Sequence, residues 1–313
     1  MMDMQPTLFN TLPSSRGQWL SRNLRMGTCS WKYDSWKGLV YDPAKKYSPM
    51  DYLADYAKHY LTVEIDEWFW SLFPTGTKLP NPKTVQHYAD SVPDDFLFTV
   101  KAPNAVTLTH FYAKQPAAYK TSANLPNPDF LNPDLLKRFL DRLAHMHDKL
   151  GAIIFQFEYL NKQKMPSLNE FHDRLADFLD HVPSGFDYAV EIRNPRYYTS
   201  TYNAFLRQYS LSPVLIEGTY MPPLSEVIQT LDIFTGKTLI IRLQGPDRQK
   251  IEKQTHNKWD TIVSPQDAGL DVVSEIVKEQ LKEGRNVIVS VNNHYEGCAP
   301  LTIQRLVEKM TQK

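Results

Sequence analysis

The sequence of 313 residues contains 35 Lys and Arg residues and 35 Asp and Glu residues, and this balance excludes the global basic field of many nucleic-acid-binding proteins. Apolar residues make up 42%, enough for a large core, and the length suits two average domains or one α/β barrel. Only two cysteines, Cys29 and Cys298, are present, which excludes a disulfide scaffold, and no Cys/His ligand spacing indicates zinc.

The first segment, residues 1–23, contains Pro, Ser and Arg without a regular pattern, and we interpret it as an N-terminal extension. It has no apolar run of signal-peptide length, and no later stretch approaches the length of a membrane span. We therefore expect a cytoplasmic protein without a membrane partner, in which both thiols are reduced and buried.

Residues 24–313 alternate between strand and helix patterns, and we predict that they form a single domain. Strand-like runs occur at residues 25–31, 62–66, 96–101, 152–157, 188–193, 213–217, 239–244 and 286–292. A helical segment is predicted after each run. The connection 102–132 holds four prolines and little periodicity, so we expect a loop that lies over the domain. The polar segment 245–264 is also expected to be a loop.

Eight strand and helix units follow one another without a glycine-rich dinucleotide fingerprint or a phosphate-binding loop. This count favours a closed (β/α)8 barrel of the TIM type. An open, doubly wound sheet is the alternative, because one miscounted strand would leave the barrel unclosed.

Polar side chains recur in one phase along the predicted strands. Because successive strand residues point to opposite faces, one face carries a polar set near the carboxyl ends of the strands. This set comprises Thr28, Ser30, Glu64, Asp66, Thr99, Lys101, Gln156, Glu191, Arg193, Glu217, Arg242, Gln244, Ser290 and Asn292. Active sites of TIM-type barrels lie at these strand ends, so the pattern predicts a ligand site there.

Seven short runs, in order, resemble the domain-of-unknown-function 72, or YecE-like, family. They are GTCSW at 27–31, TVEID at 62–66, FTVKAP at 98–103, IFQ at 154–156, AVEIRNP at 189–195, IRLQG at 241–245 and VNN at 291–293. The resemblance implies a TIM-type barrel and a bacterial or archaeal cytoplasmic setting, but it implies no reaction. This chain departs from the family pattern at Asp66, Gln244 and His294, and a family mechanism that needs a histidine at position 244 would not operate here.

We predict that the polar set binds a small anionic or nucleotide-like ligand for acid/base or hydrolytic chemistry, as in a hydrolase or lyase. Glu191 and Glu64 are the candidate catalytic carboxylates. The candidate binding residues are Lys101, Arg193, Arg242, Asp66, Gln156, Gln244, Asn292, Asn293 and Trp31. Arginine suits this role because its planar fork matches carboxylate and phosphate, whereas a self-neutralising ring of ion pairs is the structural alternative.

Other ligands and functions stay open at this point. The carboxylates Glu64, Asp66, Glu191 and Glu217 offer oxygen ligands that suit magnesium or manganese, but the inward arginines compete for them, and we assign no metal residue. The cofactor is therefore left unassigned. A nucleic-acid-processing enzyme is one alternative function, with a basic rim of Lys162, Lys164, Arg248, Lys250 and Lys253. A non-catalytic metabolite-binding protein is another.

Overall fold

The computed structural model of the protein describes residues 23–112, 124–218 and 220–311. Eight parallel strands close into one barrel in the order β1-β8-β7-β6-β5-β4-β3-β2, which confirms the predicted (β/α)8 fold. They are β1 (Leu24–Thr28), β2 (Thr62–Ile65), β3 (Leu97–Lys101), β4 (Leu150–Gln156), β5 (Tyr188–Glu191), β6 (Ser212–Gly218), β7 (Thr238–Gly245) and β8 (Asn286–Val291). The predicted N-terminal extension, except for its last residue, lies outside the described residues.

At least one α-helix follows each strand. The helices are α1 (Asp51–Tyr56), α2 (Pro82–Asp90), α3 (Asn104–Thr107), α4 (Pro133–Arg142), α5 (Leu168–Leu179), α6 (Ser200–Gln208), α7 (Leu224–Thr230), α8 (Arg248–Thr255), α9 (Asp267–Lys282) and α10 (Ala299–Thr311). A short hairpin, Leu72–Phe73 with Gly76–Thr77, follows β2. Of the helices in the described ranges, none combines the length and apolar character needed to cross a membrane.

Two helices fall in segments that we expected to be loops. Helix α3 lies in the connection 102–132, of which residues 113–123 are outside the described part. Helix α8 lies in the polar segment after β7, where the side chain of Asp247 accepts a hydrogen bond from the Lys250 amide as an N-cap. Helix α8 buries little apolar surface, so hydrophobic periodicity gave no signal for it.

The core has two parts, separated by the strand phase. Alternate strand residues such as Val63, Phe98 and Val190 pack against the helices in the large outer core. The residues of opposite phase fill the barrel interior below the carboxyl ends of the strands. This inner cluster consists of Ala152, Ile154, Ala189, Val214, Ile240 and Ile288. The polar residues of the same phase therefore lie directly above this apolar cluster, toward the carboxyl ends of the strands.

Strand β6 is in the opposite phase to the one that we predicted. Ile216, not Glu217, is in register with Arg242 of β7 and lines the interior, and Glu217 accepts a hydrogen bond from the Leu224 amide outside the barrel. The inward position predicted for Glu217 is wrong, because the apolar run from Pro213 to Ile216 contains no alternation that fixes a phase.

Two of the strand pairings in the barrel are short. β1 pairs with β2 through Gly27 and Thr28, and β5 pairs with β6 through Ala189 and Val190. At the first pairing the backbones come so close that a Cβ on Gly27 would lie 1.9 Å from the Thr62 carbonyl oxygen, so only glycine fits. At the second, Pro213 on β6 has no amide proton to donate.

Candidate functional site

A cavity of about 950 Å³ opens at the carboxyl ends of the barrel strands, where we predicted the site. Most of the predicted site residues contribute to its lining. They are Asp66, Lys101, Gln156, Arg193, Arg242, Gln244, Asn292 and Asn293. Asp66, Arg193 and Asn292 follow the ends of their strands by one or two residues, so the loops aim these three side chains.

Five charged side chains form a chain of alternating sign across the barrel. In order, they are Arg193, Glu191, Arg242, Glu64 and Lys101. Four of them lie on strands β5, β7, β2 and β3, and Arg193 lies two residues after β5, so the chain crosses both short strand pairings. We refer to these five side chains as the charge chain.

The contacts within the charge chain involve most of its polar atoms. Arg242 donates from Nε and Nη2 to the two carboxylate oxygens of Glu64, each at 2.7 Å, and from Nη1 to Glu191 Oε2. Arg193 donates from Nε at 3.0 Å and from Nη2 at 2.8 Å to Glu191 Oε1. Lys101 Nζ lies 3.0 Å from Glu64 Oε1.

Glu64 and Glu191, the predicted catalytic carboxylates, are fully buried and do not line the cavity. Burial acts to raise the pKa of Glu191, but the charges of Arg242, Arg193 and Lys101 outweigh it and lower that pKa to about 2. Burial acts to lower the pKa of Arg242, whereas Glu191 and Glu64 raise it well above its ordinary value. Both groups are therefore ionised at neutral pH.

Asp66 differs from these two carboxylates because it faces the cavity. No Lys, Arg or His of the described residues forms a salt bridge with it. Burial raises the pKa of Asp66, and the charge of Lys101 offsets this only in part. Asp66 is thus a carboxyl group that holds its proton more tightly than usual and lies open to a ligand.

Cys29 also lines the cavity, and sequence analysis did not identify it as a site residue. It lies one residue after β1, where the strand phase no longer holds, and its Sγ is 3.5 Å from Gln244 Nε2. Burial raises the pKa of the Cys29 thiol to about 12, so this thiol is neutral. Cys29 and Cys298 are both buried and free, as we expected.

The rim of the cavity carries a histidine held between two oxygen acceptors. His294 Nδ1 lies 2.6 Å from Asn292 Oδ1, and His294 Nε2 lies 3.1 Å from Glu252 Oε1 on α8. Asn293, the neighbouring predicted residue, accepts a hydrogen bond from the Ala299 amide at the start of α10. Glu252 had no recognisable signal because its helix was not predicted.

Trp31 is placed away from the cavity lining, in contrast to the other predicted binding residues. Its buried ring meets Tyr88 edge-on at a centroid distance of 5.3 Å, beneath the ammonium group of Lys32. The aromatic residues that do line the cavity are Tyr33, Trp36, Phe69, Trp70 and Tyr220.

The donor set offers little to a metal ion. Glu64 and Glu191 already form ion pairs with Arg242, Arg193 and Lys101, as described above. Across the described ranges, no three His, Cys, Asp or Glu side chains converge in a way that could hold a metal ion.

Comparisons with known proteins agree with this fold. The family model described as "Protein of unknown function DUF72" matches residues 25–313. UPF0759 protein YecE of Escherichia coli K12 is 25% identical over 226 residues, which cover 66% of this chain and 72% of that protein. A DUF72 family protein of Enterococcus faecalis V583 is 18% identical, with a TM-score of 0.60 over 93% of this chain and 96% of its own. One of Thermotoga maritima MSB8 is 19% identical, with a TM-score of 0.59 over 91% of this chain and 99% of its own.

Proposed function

The chain belongs to the DUF72 family, whose function is not known, and we propose from the geometry of its site that it is an enzyme that binds a small anionic substrate. The substrate would sit in the mouth of the barrel, where Asp66 transfers a proton to or from it. The observation that carries this proposal is that each end of the charge chain is a cation and that both of these cations line the cavity.

The charge chain has three cations and two carboxylates, so it carries one excess positive charge. Lys101 and Arg193, its two ends, both line the cavity. The side chain of Arg193 is 44% exposed, and the described residues engage its Nε and Nη2 but not its Nη1. A carboxylate or phosphate in the cavity would balance the excess charge and accept charge-assisted hydrogen bonds from these two ends.

We assign different roles to the carboxylates than the sequence suggested. Glu64 and Glu191 act as counter-ions that hold Arg242 and the two end cations in place, because both are buried and ion-paired. The acid/base role passes to Asp66, which faces the cavity and has a raised pKa. An anionic substrate beside Asp66 would favour the protonated carboxyl further, as a general acid requires.

Nucleic acid is less well supported as the ligand, because part of the basic rim is neutralised. Lys164 forms an ion pair with Glu158, and Arg248 lies 2.7 Å from Glu252. A non-catalytic metabolite-binding protein would use the same cations, and turnover separates it from an enzyme.

The test is a titration of the folded protein with inorganic phosphate, sulfate and citrate, read by calorimetry and thermal unfolding. We expect Arg193→Met to weaken the binding of these anions by about 1.5–3 kcal/mol, the contribution of a charge-assisted contact. Arg196→Met is the matched control, because Arg196 is exposed and does not line the cavity. Equal affinities in the two variants would exclude the charge chain as the anion site. Incubation with a metabolite extract, with Asp66→Asn as the inactive control, would then show turnover or its absence.

A further inference from the structure

Two strongly exposed aromatic side chains line the cavity above the charge chain. The side chain of Trp70 is 60% exposed and that of Tyr220 is 88% exposed. Trp70 follows β2 and Tyr220 follows β6, and these two strands are opposite each other in the order of the barrel. Exposed aromatic surface at the rim of a polar cavity is a recognition feature, because large apolar side chains are otherwise usually buried.

We propose that the anionic ligand is a nucleoside monophosphate, whose phosphate meets Lys101 and Arg193 and whose base stacks on Trp70. The inference rests on the proposed function, because it assigns a chemical class to the anion of the same site. Every nucleobase presents a flat π-face to an indole ring, and a cavity of about 950 Å³ accommodates a ligand of this size.

The spacing between the cation and the indole suits such a ligand. Lys101 Nζ lies 5.6 Å from the ring centre of Phe69, and the rings of Phe69 and Trp70 are 5.1 Å apart. One aromatic ring therefore separates the ammonium group from the indole. In a nucleoside monophosphate, one ribose ring separates the phosphate from the base. The ligand would lie along Phe69 with a charged end and a flat end in matching positions.

The loop that carries Trp70 is fixed before any ligand arrives. Buried Asn104 accepts hydrogen bonds on its Oδ1 from the amides of Ser71 and Leu72, at 2.9 and 2.8 Å. Its Nδ2 donates to the Tyr112 hydroxyl at 3.2 Å, and the ring of Tyr112 packs against Trp70 at 5.5 Å. A preorganised aromatic surface binds with less loss of conformational entropy than a mobile one.

The test compares AMP, ribose 5-phosphate, inorganic phosphate and adenosine by calorimetry and by tryptophan fluorescence. We expect AMP to bind about five- to a hundredfold more tightly than ribose 5-phosphate, the range given by stacking of one base. Trp70→Ala should abolish this difference, and Trp70→Phe should keep part of it. Tyr159→Ala is the matched control, because Tyr159 is 62% exposed but does not line the cavity.

The outcomes separate this inference from the proposed function. If ribose 5-phosphate binds as tightly as AMP, and Trp70→Ala has no effect, the nucleotide is excluded while the anion site stands. If none of the phosphates binds, the proposed function fails together with the inference. A short single-stranded oligonucleotide that binds more tightly than AMP, with a steep dependence on salt, would replace the mononucleotide by a nucleic acid.

Discussion

Arg242 and Glu64, 178 residues apart in the sequence, are joined by two parallel hydrogen bonds of 2.7 Å inside the barrel. Both side chains are buried, and the third guanidinium nitrogen of Arg242, Nη1, donates a hydrogen bond to Glu191. Such a pair is costly to break, because removal of one partner leaves the other charge buried without compensation.

The first prediction concerns Arg242. Arg242→Met should lower the free energy of unfolding by about 3–5 kcal/mol, because Glu64 and Glu191 lose their shared cation. Urea unfolding measures this change. Arg207→Met is the control: Arg207 forms an exposed ion pair with Asp232, which contributes at most about 1 kcal/mol. Similar losses in the two variants would show that the buried chain is no more important to stability than a surface pair.

The second prediction separates a counter-ion from a catalytic base at Glu191. Glu191→Gln removes one negative charge from the chain and releases Arg193 toward the cavity. We expect phosphate to bind about tenfold more tightly, or ~1.4 kcal/mol, and the protein to be less stable. Calorimetry and urea unfolding measure the two effects. Unchanged affinity, together with complete loss of turnover of an identified substrate, would instead return Glu191 to the catalytic role.

The third prediction concerns the pH dependence that Asp66 causes. Because burial raises the pKa of Asp66, the folded protein keeps this proton at pH values where the unfolded chain has released it. From the ordinary value of 3.8 up to the raised value, stability should therefore fall as pH rises. Asp66→Asn should remove this slope and reduce turnover by about 10²–10⁴-fold.

Asp90→Asn, at the exposed end of α2, is the control for Asp66. Unfolding free energies measured at several pH values give the slope for each variant. If Asp66→Asn and wild type show the same slope, the Asp66 carboxyl has no unusual proton affinity and its acid/base role is excluded.

The fourth prediction concerns His172, which is buried between α5 and α6. Its ring stacks on Phe205 at a centroid distance of 4.4 Å, and burial lowers its pKa from the ordinary 6.5. As the pH decreases below 6.5, the imidazole of His172 is protonated in the unfolded chain before it is protonated in the folded protein. The free energy of unfolding should therefore decrease as the pH decreases, until the lowered pKa of the folded state is reached.

His172→Phe keeps an aromatic ring against Phe205 and should make this acid dependence of stability less steep; a part should remain, because burial also lowers the pKa of His59 and of His294. Exposed His145→Gln serves as the control and should leave it in place. Thermal unfolding at pH values between 7 and about 5 is the measurement. An acid dependence as steep in His172→Phe as in the wild type would assign the effect to other groups.

The sequence predicted the barrel because eight strand patterns alternate with helices, and this order does not depend on side-chain detail. Most of the site residues predicted from the sequence line the cavity, since period 2 places Lys101, Gln156 and Arg242 on the inner face. The sequence did not reveal that Arg242 pairs with both Glu64 and Glu191 and shields them from the cavity, because pairings across 178 and 51 residues leave no local pattern. The roles of Cys29 and Glu252 were missed for a related reason: loop geometry and a polar helix place them.

The short strand pairings divide the barrel into two half-barrels, β2 to β5 and β6 to β8 with β1. Arg242 belongs to the second half, and its two partners lie on the outermost strands of the first, Glu64 on β2 and Glu191 on β5. The guanidinium group of Arg242 thus forms ion pairs with both edge strands of the other half-barrel, and it also forms part of the cavity wall. During evolution, a change of ligand chemistry at this position would also require a new means of joining the half-barrels. Sequence variation should therefore be concentrated in the loops around the pocket, whereas Arg242 should be retained because it also joins the two half-barrels.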